Sequence, residues 1–399
     1  MESVEFVVVG CGPAGGIAAR EAARDGVETL VLERDPVVGS KRVCAAGLRP
    51  GFCEQFEVPR TIVHCDPPTI ALHSPTERRY DFRVGPAHTT TREELDGTIA
   101  RLAREAGAQI RTSAMFRSLA RDGDRTIVEY ADVREGTRRR VAARAVFFAA
   151  GATARLDETP FAYESWDAGL ITCLQYRVYL ERPALPQAYQ TLEMHYYRSR
   201  KERPVIGWMF PKRDHLSIGL GIQSKLPGPE LRAELDAFVS QVLHRLAPGI
   251  SYSVRNEGNL LYGGAPRPRI VAYDGTVMLG GTAAGLVDAT TGEGIHEAAM
   301  SGRFAAAAVS AAKKSTRHAP GTAYERATRQ AFYGRLHHRH KLMTFLERKA
   351  PRFDVLFTQL ARTPRFAELL QHDRNDFTPL QWLYLYAQAA KFSLRALRV

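Results

Sequence analysis

The chain opens on a run that leaves few folds open to it. Phe6-Val7-Val8-Val9 is an apolar, largely β-branched stretch and reads as a buried strand. It stops at Gly10-Cys11-Gly12-Pro13-Ala14-Gly15, a G-x-G-x-x-G turn, and a helix-forming run from Ala14 to Arg24 follows. Thr29-Leu30-Val31-Leu32 then reads as a second strand, running into the acid Glu33 and Arg34. Strand, glycine turn, helix, strand and an acid about 20 residues on make the dinucleotide-binding fingerprint. Gly10 permits the tight turn, Gly12 lets a pyrophosphate approach the backbone, and Gly15 lets helix and strand pack closely. Around Pro13 and Ala14 the helix N-terminus offers free N–H groups and the positive end of its dipole to the phosphates. Glu33 can accept hydrogen bonds from ribose hydroxyls and disfavours a 2′-phosphate, so FAD or NAD is expected at this turn rather than NADP. The competing reading is a tight β–α turn with no ligand.

At 399 residues the chain is long enough for two or three domains. Its five cysteines form no C-x-x-C pair and no zinc spacing, so free thiols in a cytoplasmic setting are expected. The N-terminus enters its first strand by residue 6, which leaves no room for a signal peptide, and no run of 18 apolar residues spans a membrane. The net charge of +12 is scattered, with no basic tail. That favours a membrane surface or an anionic small substrate over nucleic acid.

Beyond Glu33, Gly39 to Leu48 reads as a loop of small residues around Cys44, either closing on a flat ligand or simply burying a thiol. Residues 66–88 alternate apolar and polar and read as an inserted β-hairpin. Residues 89–112 read as a helix capped by Thr91, with Glu94 completing a capping box and Leu95, Ile99, Leu102 and Ala106 forming the apolar stripe. Arg92 stands in its first turn, a poor place for a cation against the helix dipole, which suggests a role outside the helix. Residues 125–149 give two strands around a charged turn from Arg134 to Arg140, the second ending at Gly151. From Trp166 to Gly221 the pattern is mostly strand, a second domain rich in aromatic and β-branched residues. Leu231–Leu246 is an amphipathic helix, Tyr273–Gly280 returns to strand, and everything after about residue 320 is helical, aromatic and basic.

A second informative stretch is Gly280-Gly281-Thr282-Ala283-Ala284-Gly285-Leu286-Val287-Asp288 with Thr291-Gly292-Glu293-Gly294-Ile295. Small residues here let backbone pass against a planar ring, and the Ala-rich helix from Ile295 points its N-terminus at developing negative charge. Together with the opening fingerprint, the loop KRVCAAGL, IGWMFPKRDHLSIGLG (206–221) and AAGLVDATTGEGIHEAAMSGR, this stretch resembles the FAD-dependent geranylgeranyl reductases. FPKRDH and GEGI-x-x-AA-x-SGR are similar to the (bacterio)chlorophyll-type branch.

The resemblance implies an α/β protein with a Rossmann-like FAD-binding domain, an antiparallel β substrate domain and a helical C-terminal region, as in flavoproteins of the glutathione-reductase-2 or hydroxylase type. It assigns 1–65, 89–165 and 270–315 to the FAD domain, 66–88 and 166–269 to the substrate domain, and 316–399 to the helical region. It gives Gly10, Gly12, Pro13, Ala14, Gly15, Glu33 and Arg34 to the ADP half of FAD, and Arg92 to its phosphates or ribityl chain. Ala283, Gly285, Gly294 and Ile295 would line the flavin. The chain departs from the family pattern at three places: Gly281-Thr282 for Gly-Asp, Val43-Cys44-Ala45-Ala46 for Pro-Cys-Gly-Gly, and His296 for Tyr.

The activity so implied is saturation of C=C bonds in a geranylgeranyl-type prenyl chain by hydride from reduced FAD, with NADPH as electron donor. Cys44 and His296 are the candidate proton donors, and Trp208 and Phe210 the candidate substrate contacts, although aromatics in a strand also serve as core. Lys212 either meets a pyrophosphate or carboxylate or is solvated. The run His337-His338-Arg339-His340 has no companion Cys or acid at ligand spacing, so no metal is expected. Two other functions share these motifs: a class A-type flavin monooxygenase and a membrane-associated electron-relay flavoprotein. The aromatic, basic C-terminal helices suit either peripheral membrane contact or a cap on the FAD domain.

Overall fold

The computed structural model describes residues 1–40, 43–83, 87–153, 156, 159–163, 166–181, 189–223, 228–314, 319–371 and 378–399. Lys41 and Arg42 of the small-residue loop, Arg155 beyond Gly151 and residues 84–86 of the expected hairpin lie outside them. In chain order, β1 (Glu2–Val9), α1 (Pro13–Arg24) and β2 (Thr29–Leu32) are followed by β3 (Gly47–Leu48), α2 (Phe52–Gln55), β4 (Thr69–His73), β5 (Arg79–Arg83), β6 (His88–Thr89) and α3 (Arg92–Glu105). Next come β7 (Gln109–Arg111), β8 (Ala114–Asp122), β9 (Arg125–Asp132), β10 (Thr137–Phe148), β11 (Leu170–Leu180), β12 (Thr191–Arg198), β13 (Pro204–Pro211) and β14 (Leu216–Ile222). Helix α4 (Gly228–Leu246), β15 (Tyr252–Tyr262), β16 (Val271–Ala272), β17 (Val277–Leu279) and α5 (Ile295–Lys314) lead to the C-terminal helices. These are α6 (Gly321–Thr328), a π-turn (Arg329–Tyr333), α7 (Gly334–Glu347), α8 (Pro351–Arg362), α9 (Pro364–Gln371) and α10 (Pro379–Ala396).

The first sheet has a parallel core in the order β17-β10-β1-β2-β7. Phe6 to Val9 are fully buried because helices, α6 among them, cover one face and the β8–β9–β10 meander the other, which is why this strand reads as an unbroken apolar run. Helix α1 is wedged between α3 and α5. A Cβ on Gly302 of α5 would sit 2.1 Å from the Ala14 carbonyl oxygen, so the two helices touch through backbone. The order in which strands are added to the sheet reverses between β1 and β10, and the open crevice lies beyond their C-terminal ends, where ligands bind in such sheets.

The second sheet runs β15-β11-β14-β13-β12-β4-β5. It is antiparallel except for β12 against β4, so the expected all-antiparallel sheet has one parallel pair where the early hairpin joins it. Alternation along the strands splits its two faces. Val205 and Met209 pack under α4 with Leu235, Phe238 and Val242. Trp208 and Phe210 face the other way, into a cluster with Val43, Met194, Tyr196 and Phe353, Phe357 and Phe392 of the C-terminal helices.

Several local expectations are corrected. Residues 252–262 form the edge strand β15, unread because its N-terminal half is exposed and polar. The helix expected over 89–112 ends at Glu105, and Gln109–Arg111 is strand β7. Thr91 accepts the Glu94 N–H, but the Glu94 carboxylate pairs with His64 (2.9 Å) and Arg213 instead of closing the capping box. Leu102 and Ala106 are only half-buried, and Ala100 and Ala103 carry the stripe with Leu95 and Ile99. Arg138–Arg140 stand on β10 rather than in the turn. Within the expected strand Tyr273–Gly280, strand character is confined to Val277–Leu279, because Tyr273 and Asp274 adopt positive φ (50° and 53°). No helix among the described residues is long and apolar enough to cross a membrane.

Candidate active site

At the end of β1 the chain turns at Gly10 with φ of 96°, and a Cβ there would lie 2.6 Å from the Ala149 carbonyl oxygen. A Cβ on Gly15 would lie 1.9 Å from the Gly10 carbonyl oxygen, so no other residue fits beneath this turn. Gly12 is different: its Cβ position meets only the Arg92 guanidinium, 3.3 Å away, and otherwise faces open space. Gly12 is the N-cap of α1, makes no side-chain cap, and Pro13 follows it. The first turn of α1 therefore keeps unsatisfied N–H groups at the wall of a cavity of about 910 Å³. Gly10, Gly12, Pro13, Ala14, Glu33, Arg34 and Arg92 all line that cavity, while Gly15 supports it from beneath. A bare glycine cradle before an uncapped helix fits the pyrophosphate of a dinucleotide.

Glu33 already works for the fold. One carboxylate oxygen accepts the Cys11 N–H (2.7 Å) and the other the Asp35 N–H (3.0 Å). Burial raises its pKa above the ordinary carboxylate value, outweighing these two backbone donors. Each oxygen keeps a lone pair for a ribose hydroxyl. Arg34 is half exposed and donates to Thr153 (3.3 Å).

Arg92 is buried and grips Asp96, one turn on, through three contacts of 2.6–3.1 Å. Burial disfavours its charge, but Asp96 and the neighbouring Cys44 outweigh that and hold the guanidinium protonated. Asp96 and Cys44 line the cavity beside it. An i,i+4 pair was legible in principle as an acid one turn after Arg92; its complete burial was not.

Opposite lie Gly281, Thr282, Val287, Gly292, Gly294, Ile295 and Ala298, at the N-terminal end of α5. Gly294 and Ile295 stand where the sequence reading put them. Ala283 and Gly285 do not line the cavity: Ala283 is fully buried, and Gly285 packs against the Tyr262 ring and Pro266. A left-handed turn at Gly285 (φ 75°) sends this backbone away from the cavity and presents Thr282 instead.

His296 also departs from its expected place. It is 5% exposed, contacts Arg49 (3.2 Å) through Nδ1 and Gln55 (3.0 Å) through Nε2, and does not line the cavity. It belongs to a buried ionic network that sequence reasoning did not assemble. Arg49 pairs with Glu293 and with Glu297 (2.6 Å), and Arg335 of α7 reaches the same Glu297 (2.5 Å). Burial pushes the Glu297 carboxyl up, yet Arg49 and Arg335 overcome it and bring its pKa down to about 2. Its members come from residues 49, 293–297 and 335, so no local pattern announces it.

Trp208 and Phe210 sit beyond the Cys44 loop, outside the cavity lining, in the apolar cluster between the second sheet and the C-terminal helices. The Trp208 indole N–H donates to Gln175 (3.0 Å), and Phe210 lies against Gly47, where a Cβ would come within 2.7 Å of the ring. The two regions meet at adjacent residues: Val43 belongs to the apolar cluster and Cys44 to the cavity wall. Lys212, left between ligand contact and solvent by its sequence, is 1% exposed and donates to the Ala45 carbonyl (2.5 Å). In the histidine-rich run, His337 bonds through Nδ1 to the Tyr333 carbonyl (2.8 Å). Elsewhere, His73 and His195 stack 3.9 Å apart and share Glu193, but Arg245 and Arg79 already flank that carboxylate, which disfavours a cation.

Residues 5–154 match the family model of FAD dependent oxidoreductases. The chain is 30% identical over 312 residues to digeranylgeranylglycerophospholipid reductase 1 of Methanopyrus kandleri, covering 75% of this chain and 79% of that protein. It is 29% identical over 316 residues to the geranylgeranyl diphosphate reductase of Rhodobacter capsulatus, covering 77% and 75%. In fold it is similar to a geranylgeranyl bacteriochlorophyll reductase-like protein of Thermoplasma acidophilum, with a TM-score of 0.77, 21% identity and 97% and 96% of the two chains covered. A flavin-dependent brominase triple mutant shares the fold at a TM-score of 0.72 and 17% identity, over 97% and 99% of the chains.

Proposed function

Because the chain belongs to the geranylgeranyl reductase family of FAD-dependent oxidoreductases, we propose that it saturates C=C bonds of a geranylgeranyl-type prenyl chain, with NADPH as the electron donor. The observation that carries this reading is the junction at Val43–Cys44, where a packed apolar cluster rich in aromatic side chains meets the cavity walled by the glycine turn. Reduced FAD supplies a hydride when bound. Gly12 and Ala14 would receive its pyrophosphate on backbone N–H groups, with Gly10 and Pro13 shaping the turn beside them, Glu33 would accept its ribose hydroxyls, and Arg92 would face its negative charge. Thr282, Gly294 and Ile295 border the rest of the group. On this reading residues 1–65, 89–165 and 270–315 form the FAD domain, 66–88 and 166–269 the substrate domain, and 316–399 the helical region.

Reducing an isolated alkene requires a hydride at one carbon and a proton at the other. Cys44 is the group that holds that proton, at Sγ on the cavity wall. The Ala46 N–H points at the sulfur (3.4 Å), and the Arg92 guanidinium lies beside it. His296, committed to Arg49 and Gln55, drops out of this role. Trp208, Phe210 and their neighbours exclude water and seat the prenyl chain.

A peripheral membrane contact completes the reading. Helix α10 exposes Leu380 (75%), Leu383 (67%), Leu394 (64%) and, just past its end, Leu397 (68%). Lys391, Arg395 and Arg398 accompany them, and residues 378–399 contain no acid. Such a helix suits an anionic bilayer surface, and its inner residues Phe392 and Ala396 belong to the same apolar cluster as Trp208 and Phe210.

The monooxygenase reading shares this fold, so the deciding experiment follows atoms. Incubate the FAD-loaded protein with NADPH and geranylgeranyl diphosphate or a geranylgeranyl lipid, then weigh the products. Gain of two hydrogens per step without oxygen uptake supports the reductase; oxygen uptake with an oxygenated product overturns it.

A further inference from the structure

Lys212 is the only lysine among the described residues that is almost wholly buried, and none of the roles above uses it. It follows the end of β13, directly after the strand that carries Trp208 and Phe210. Its Nζ donates to the Ala45 carbonyl at 2.5 Å and lies 3.5 Å from the Ala46 carbonyl oxygen. Among the described residues no carboxylate lies within ion-pair distance; the charged and titratable groups that face it are Cys44, Cys65, His64, His215 and Arg177. A charge buried without a counter-ion is costly and calls for a reason.

The reason lies in the turn it touches. Ala46 has φ of 47°, in the left-handed region where the Cβ of an alanine is strained. The same residue directs its N–H at Cys44 Sγ, and its carbonyl accepts the Thr90 N–H (3.0 Å). The Cys44 position thus depends on a strained backbone that the Lys212 ammonium pins from the second sheet. We propose that Lys212 is a positioning residue: its charged amine clamps the Cys44–Ala46 turn, so that its protonation state sets how the Cys44 thiol is presented to the cavity. Burial lowers its pKa to about 7, bringing the clamp's loosening into the neutral range. Below that value the ammonium holds the turn; above it the neutral amine holds it more weakly.

The catalytic consequence rests on Cys44 acting at the substrate side, but the clamp can be tested without substrate. The FAD-loaded protein is alkylated with iodoacetamide from pH 6 to 9, and modification of Cys44 is followed by peptide mass spectrometry. For a thiol in a fixed setting the rate climbs tenfold per pH unit until the thiolate is fully formed. Wild type is expected to break from that line near pH 7, by about threefold or more. Lys212→Met should lack the break, and Ala46→Gly, which relieves the left-handed strain, should shrink it and bring the Cys44 rate of the Lys212→Met/Ala46→Gly double variant back toward that of wild type at low pH. A wild-type profile with no break near pH 7 overturns the proposal even if Lys212→Met does not fold. So does a break that persists unchanged in Lys212→Met or in Ala46→Gly. Undiminished prenyl reduction by Cys44→Ser overturns the catalytic reading alone, and with the wild-type break near pH 7 intact it leaves the clamp standing, so the two failures are distinguishable.

Discussion

The two halves of this site are held in opposite ways. The phosphate turn is built from contiguous chain: Gly10 N–H to the Leu32 carbonyl, Cys11 N–H to Glu33 and the Gly15 contact on Gly10 all fall within residues 10–33. The apolar cluster is assembled from Val43, Met194, Trp208, Ala289, Phe353 and Phe392, which come from segments far apart in the chain and share no motif. The first is rigid because backbone meets backbone with no slack. The second is a packed hydrocarbon surface, tolerant of volume-conserving change and adjustable to the chain it seats. A cofactor that never changes suits the former, and a substrate that differs between relatives suits the latter.

The comparison breaks most severely at the turn. Gly15→Val puts a methyl-bearing carbon onto a carbonyl oxygen that cannot move, and flavin binding should fall below detection in an absorbance titration while helical content is kept. Retained yellow protein would mean that the turn has slack. The junction comes next. Cys44→Ser should leave flavin affinity unchanged and slow anaerobic single-turnover oxidation of the reduced flavin by a prenyl substrate about a hundredfold; an unchanged rate would remove Cys44 from proton donation.

Acid sharpens the contrast more gently. Glu33 has a raised pKa in the folded protein, so it takes up its proton at a higher pH than an ordinary glutamate. In the pH range between those two values the ligand-free fold binds more protons than the unfolded chain, and the Glu33 contribution to its stability improves as pH falls. FAD binding runs the other way, because a protonated carboxyl accepts ribose hydroxyls poorly. Flavin affinity should weaken as pH falls through the raised Glu33 titration in wild type and much less in Glu33→Gln, read by absorbance titration at several pH values. A substrate-side change such as Phe210→Leu should leave that profile untouched. The smallest effect is expected at the surface: Leu383→Ser/Leu394→Ser should lower cosedimentation with phosphatidylserine-containing vesicles about fivefold without altering flavin content. Equal binding by wild type and variant, or a concentration-dependent dimer that the variant abolishes, would reassign α10 to another partner.

Legibility followed the same division. The opening β–α–β unit was readable because each signal lies within a few residues of the next, and steric necessity at Gly10 and Gly15 leaves no substitute. The strand pattern from Trp166 to Gly221 announced the second sheet, but its edge strand β15 did not, since an exposed edge carries no apolar alternation over Tyr252–Glu257. Arg92 drew attention as a misplaced cation, while Asp96 beneath it passed unnoticed because burial is not a local property. His296 looked like an acid–base group from its motif and turned out to be spoken for by Arg49 and Gln55.

By itself the sequence determined that this chain makes a nucleotide turn, which glycines form it and which family it resembles, because those follow from backbone sterics and short-range hydrogen bonding. Tertiary structure alone decided that Ala283 and Gly285 turn away from the cavity, that Glu297 is locked between two arginines, and that Lys212 is buried against the Cys44 turn. Each of those outcomes depends on which distant segment fills the neighbouring space, and burial, pairing and pKa are properties of that neighbour as much as of the residue.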